Sequence, residues 1–185
     1  MKKTILKKWK TKRGFSLAET LMTVLILLLV SSVVAAGIPA AVSAYTKVID
    51  AANAQTMLST AVSSLRNELS TAKDVTINGD SIKYFSYDIG AYTVISNGGE
   101  HGKIDVQDYV QESGGAATEP HPLVTKTDKD RLLEVTYGSV SANEENHTIT
   151  ITGMEVRKYQ ANSEEHTVLA KMPGEDEKLV IHYLG

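Results

Sequence analysis

From Leu21 to Val42 the chain holds 22 consecutive residues, LMTVLILLLVSSVVAAGIPAAV, without one charged side chain. Wound as a helix, such a run spans roughly 33 Å, enough to cross a bilayer core of about 30 Å. It is preceded by a basic leader and followed by a polar, acidic chain rich in strand-forming residues. Any fold for this sequence has to place the apolar run first.

A single carboxylate, Glu19, stands at the threshold of the run. A charge at the centre of a membrane helix costs about 2.5–3.5 kcal/mol on insertion scales, and less near an end. Glu19 can be an interfacial residue reaching headgroup water, or one half of a charge pair. A partner arises if the chain is cut after Gly14, because the new α-amine of Phe15 then lies about one helical turn from Glu19. That amine can belong to the same chain or to a neighbour.

The string Lys12-Arg13-Gly14-Phe15-Ser16-Leu17-Ala18-Glu19-Thr20-Leu21 resembles the class III signal of type IV pilins and type II secretion pseudopilins. The resemblance implies cleavage of Gly14–Phe15 by a prepilin peptidase on the cytoplasmic side, with N-methylation of Phe15 by the same enzyme. It implies that Glu19 neutralises the Phe15 amine of an adjacent subunit during filament assembly. It also implies a type IV pilin-like α+β fold, a long N-terminal membrane-spanning helix packed on a C-terminal antiparallel sheet. The resemblance covers the leader and the first helix, about a third of the chain.

Charge is distributed unevenly. Residues 1–14 hold seven basic side chains (Lys2, Lys3, Lys7, Lys8, Lys10, Lys12, Arg13) and no acid. Taking those seven from the total of 19 leaves twelve against 22 acidic residues, a net charge of about −10 for a chain starting at Phe15. The leader keeps the N-terminus cytoplasmic and sends residues after about Tyr45 outward. So acidic a chain argues against direct nucleic-acid contact by an isolated subunit. There are no cysteines, which excludes thiol chemistry and disulfide staples and favours a Gram-positive or otherwise disulfide-poor cell as the source.

Four segments follow from this reading: a removable leader 1–14, a membrane or filament-core helix 15–43, an amphipathic continuation 44–73, and an extracytoplasmic β-rich domain 74–185. The continuation rests on a stripe of Ala44, Val48, Ala51, Gln55, Leu58, Val62, Leu65, Leu69 and Ala72 at spacings of three and four. Pro39 is expected to bend the helix. Beyond Asp74, short β-branched and aromatic runs predict seven to nine strands: Val75–Ile77, Ser81–Tyr87, Ala91–Ser96, Lys103–Val110, Leu132–Tyr137, His147–Thr152, Met154–Gln160, Thr167–Lys171 and Lys178–Leu184. Asn78-Gly79 marks a tight hairpin and Asn97–Gly102 a looser one. Ile149 and Ile151 alternate with Thr148, Thr150 and Thr152, the pattern of a strand with one wet face. Residues 112–130 read as an exposed loop.

No catalytic set emerges, and the chain is read as a non-enzyme without cofactor or metal. The five histidines, His101, His121, His147, His166 and His182, lack metal-ligand spacing. Asp128-Lys129-Asp130 and Glu175-Asp176-Glu177 do not complete a calcium loop. Two other readings compete. In one, signal peptidase I cuts after Val42-Ser43-Ala44 and releases a protein starting at Tyr45; its apolar region is too long, and a glutamate opens it. In the other, the run anchors an exposed domain, which leaves Gly14, Phe15 and Glu19 unexplained. The expected partners are prepilin peptidase, other pilin or pseudopilin subunits, and membrane lipid before assembly. The expected location is the membrane, single-pass, and then a pilus, competence or secretion filament at the cell surface.

Overall fold

The computed structural model describes residues 16–97, 103–109, 118–124, 133–159, 165–174 and 177–184. Helix α1 occupies Leu17–Ser70 and runs through Pro39 without ending. The strands after it are all paired antiparallel, so the chain is α+β. It divides into two compact units, Met1–Lys47 and Val48–Gly185, and α1 contributes residues to both.

Within the second unit, α1 buries one face: Ala54, Leu58, Ala61, Leu65 and Leu69, followed by Ala72 just past its end. In the lower half of the expected stripe Leu58, Leu65, Leu69 and Ala72 are buried, while Ala61 takes the buried place expected of the half-buried Val62. The upper half is rotated by one residue, with Ala54 fully buried where Gln55 was expected and Gln55 exposed. The rotation takes Gln55 out of the stripe and extends the buried face to Asp50, one turn before Ala54. α1 ends before Lys73, which already belongs to the first strand.

Eleven strands follow among the described residues, arranged as three sheets rather than one. The first sheet joins β1 (Lys73–Asn78), β2 (Ser81–Ser86), β3 (Ala91–Ser96), β4 (Asp105–Tyr109) and β5 (His121–Pro122) in chain order. The β1–β2 turn is the expected hairpin, shifted by one residue. Asn78 pairs with Ser81, leaving Gly79-Asp80 as a two-residue loop. Gly79 has φ of 61° and Asp80 is not in the left-handed region, which matches a type II′ turn with glycine first. β5 was not expected. Part of the proposed 112–130 loop instead adds two residues to the edge of β4, Asp105 facing Pro122 and Val106 facing His121.

The remaining strands are β6 (Leu133–Thr136), β7 (Ser139–Asn143), β8 (Thr148–Thr152), β9 (Glu155–Tyr159), β10 (His166–Lys171) and β11 (Lys178–His182). They form two three-stranded sheets, β10-β9-β6 and β11-β8-β7. The two sheets share one bent ribbon. Thr136 faces Glu155 on one side of the bend and Ser139 faces Thr152 on the other, so the register crosses without a slip. Gly138 and Gly153 sit at the bend, where the Gly138 amide donates to the Thr152 carbonyl (2.8 Å). Gly153 has φ of 65°, and a Cβ there would stand 3.4 Å from the Gly138 backbone. The positive φ is what favours glycine there, since the Cβ itself would be in ordinary contact.

Ile82, Tyr84 and Ile95 from the first sheet, Val135 and Val156 from the second, and Ile149, Ile151, Leu179 and Ile181 from the third join the α1 face in one core. The Thr-Ile-Thr-Ile-Thr alternation of β8 is realised, with both isoleucines buried.

Candidate functional site

The apolar part of α1 is uncovered. Its most apolar 18-residue window has a mean hydropathy of 2.6, and none of that window is buried. Fourteen large apolar side chains between Leu17 and Val42 are between 50 and 80% exposed. They lie all round the helix, including the consecutive run Val24 to Val30, so no single face can be hidden by one neighbour. Moving that many side chains out of water is favourable by on the order of 20–40 kcal/mol, at about 1.5–3 kcal/mol each. An element with so large a driving force is poorly suited to water along this stretch. By length and composition α1 is able to cross a membrane.

Three of its hydroxyls are satisfied within the helix. Thr20 Oγ1 donates to the Leu17 carbonyl (2.9 Å), Thr23 Oγ1 to the Glu19 carbonyl (2.7 Å) and Ser32 Oγ to the Leu29 carbonyl (2.8 Å). Back-bonded hydroxyls of this kind need no partner from outside the helix.

The helix start is built by Ser16. The Glu19 amide donates to the Ser16 carbonyl (2.9 Å) and to its Oγ (3.3 Å), and the Thr20 amide donates to the Ser16 carbonyl (3.2 Å). Ser16 is therefore the N-cap, and Glu19 is the third helical residue, in the first turn. The Ser-x-x-Glu spacing is that of a capping box, a signal present in the sequence and not used above. Glu19 is exposed at the positive end of the helix dipole, which favours a carboxylate by about 0.3–1 kcal/mol. Gly14 and Phe15 lie outside the described residues, so the cleavage site, the methylated residue and its distance from Glu19 have no geometry here.

The second unit adds two features that the sequence reading did not find. Asp50 of α1, buried, forms an ion pair with Lys158 of β9. An open groove of about 270 Å³ lies beside α1, between Asn67 and Glu68 on the helix, Asp108 and His121 from the sheet, and Leu123 just past β5. Ser86 Oγ donates to Glu68 Oε1 (3.0 Å) and Thr93 Oγ1 to Asp108 Oδ1 (2.9 Å), fixing both carboxylates. Burial, and then the nearby Glu68, push the Tyr84 phenol far above its ordinary value of 10.0 and hold it protonated. Burial does the same for Tyr137, whose hydroxyl donates to the Asp80 carbonyl.

Among the described residues no group of three or more His, Asp or Glu side chains could hold a metal ion. His121 is on β5, His166 and His182 are on the outer strands β10 and β11, and His147 ends the β7–β8 turn. His101, Asp128-Lys129-Asp130 and Glu175-Asp176 lie outside the described residues. No protein-family model, curated protein or solved structure matches the chain.

Proposed function

We propose that this chain is a structural subunit of a type IV pilus-like, competence or type II secretion filament. It is made as a membrane precursor, cut between Gly14 and Phe15 by prepilin peptidase, methylated at Phe15 and assembled through α1. The observation that carries the reading is the uncovered apolar helix, capped by Ser16 with Glu19 in its first turn, close behind a basic leader ending in glycine. Lipid satisfies this helix before assembly, and neighbouring helices satisfy it afterwards. Pairing Glu19 with the Phe15 amine of the next subunit neutralises both charges in an apolar setting and fixes the axial step between subunits. The second unit is carried outward as the exposed body of the subunit.

The continuity of α1 through Ala44 and Tyr45 supports this reading over release by signal peptidase I, whose cut would fall in mid-helix. The deciding experiment is N-terminal sequencing and intact mass of protein taken from the native membrane and from the sheared surface fraction. N-methylated Phe15 is expected. A chain starting at Tyr45, or an uncut Met1, would overturn the assignment.

A further inference from the structure

The two sides of the five-stranded sheet differ in charge. Strand alternation sends Tyr84, Thr93 and Asp108 to the α1 side, and Lys83, Phe85, Tyr92 and Tyr109 to the other. On that outer side Phe85 faces Tyr92, and Tyr92 faces Tyr109, so three rings form a row across β2, β3 and β4. Tyr87, in the following turn, extends the row at 5.7 Å from Phe85 and is 53% exposed. Lys73 stands over the Tyr87 ring and Lys83 over the Tyr92 ring, each 5.3 Å from the centroid. Asp105 shares this face, opposite Ser96 and away from the row of rings, and exposed Asp74 adjoins Lys73 at the β1 bulge. On the α1 side lies the groove with Glu68 and Asp108, and neither carboxylate has a salt bridge among the described residues.

We propose that the aromatic, lysine-bearing face of one copy docks on the carboxylate-lined groove of the next. The occupant is another copy of this chain because the two patches are complementary in charge. Two lysines meet two carboxylates, and half-exposed Tyr and Phe rings meet the apolar walls given by Ile89, Val106 and Leu123. The mature chain is acidic, so copies repel each other unless an approach presents these lysines. The patches sit on opposite sides of one sheet and cannot satisfy each other within a copy. A contact between two different patches repeats head to tail and builds an open array rather than a closed dimer. The proposal rests on the filament reading and adds to it a contact between the exposed bodies of neighbouring subunits.

The natural chain has no cysteine, so an introduced pair reports on this contact alone. Two differently tagged single variants of the full chain are co-expressed, Asn67→Cys at the groove and Thr76→Cys beside Lys83; both positions are exposed. Mild oxidation in native membranes and filaments is expected to give the mixed 67–76 dimer. Adding Lys73→Glu and Lys83→Glu to the Thr76→Cys chain is expected to lower its yield at least fivefold. No disulfide, symmetric dimers only, a yield indifferent to those charges, or linkage only to a different protein overturns the proposal. The N-terminus of the same sample separates the two readings. Methylated Phe15 without the 67–76 link defeats the docking alone, whereas the link on a chain with another N-terminus defeats the filament assignment.

Discussion

Asp50 and Lys158 are 108 positions apart, and their contact ties α1 to the central strand of a sheet. The two partners are not equivalent. The Asp50 side chain is 6% exposed, while that of Lys158 is 34% exposed and reaches water. Lys158→Met strands a buried carboxylate without its lysine and is expected to destabilise the fold by about 3 kcal/mol. Asp50→Asn leaves a lysine that water can solvate, for about 1 kcal/mol. Urea midpoints for the two variants test the order, and a larger loss from Asp50→Asn would contradict it. The tyrosines set an alkaline limit. Tyr84 and Tyr137 keep their protons in the folded state beyond the ordinary 10.0. Above that pH the unfolded chain releases those protons and the folded one does not, so stability is expected to fall as pH rises past about 10. Tyr84→Phe should flatten that part of the pH–stability curve. Gly14, Phe15 and Glu19 stand out in the sequence because the resemblance that singles them out is carried by one short run of residues. Asp50 did not, since its partner and its burial are set by packing over a long separation.

The helix and the strands show which signals local pattern carries. Leu58, Leu65, Leu69 and Ala72 were placed from spacing alone, and all four are buried. Spacing also admitted Gln55, whereas the helix turns Ala54 inward, where its small side chain permits close packing. Ala54→Gln is expected to cost about 2–3 kcal/mol by forcing a polar, larger group into the core. Gln55→Ala is expected to stay within about 0.5 kcal/mol. Equal effects in thermal or chemical unfolding would refute the observed helix rotation. β5 and β7 escaped the sequence reading for different reasons. β5 has only two residues and exists by pairing with the edge of β4. β7, Ser-Val-Ser-Ala-Asn, is poor in β-branched and aromatic residues and is held by its register with β8. The division of the ribbon into two small sheets falls at Gly138 and Gly153, and neither announces a bend by itself. Gly153→Ala, at φ of 65°, is expected to lose about 1–2 kcal/mol.

At the scale of the molecule, an uncovered apolar helix and a well-packed body make opposite demands on solvent. The full chain is expected to require detergent or a filament partner. A chain beginning at Val48 keeps the compact second unit and is expected to be soluble and to unfold in one transition, as circular dichroism would show. Glu19→Ala should leave that unit folded and the precursor in the membrane, while removing it from sheared filaments; normal incorporation would dismiss the charge-pair role. The shared ribbon has a dynamic consequence. Since β6–β7 and β8–β9 run through both small sheets in one register, the two sheets cannot melt independently at their junction. Backbone amides along the ribbon should exchange with solvent as a single slow block, with β10 and β11 able to open singly and faster at its margins. What looks like two sheets in space is one piece in time.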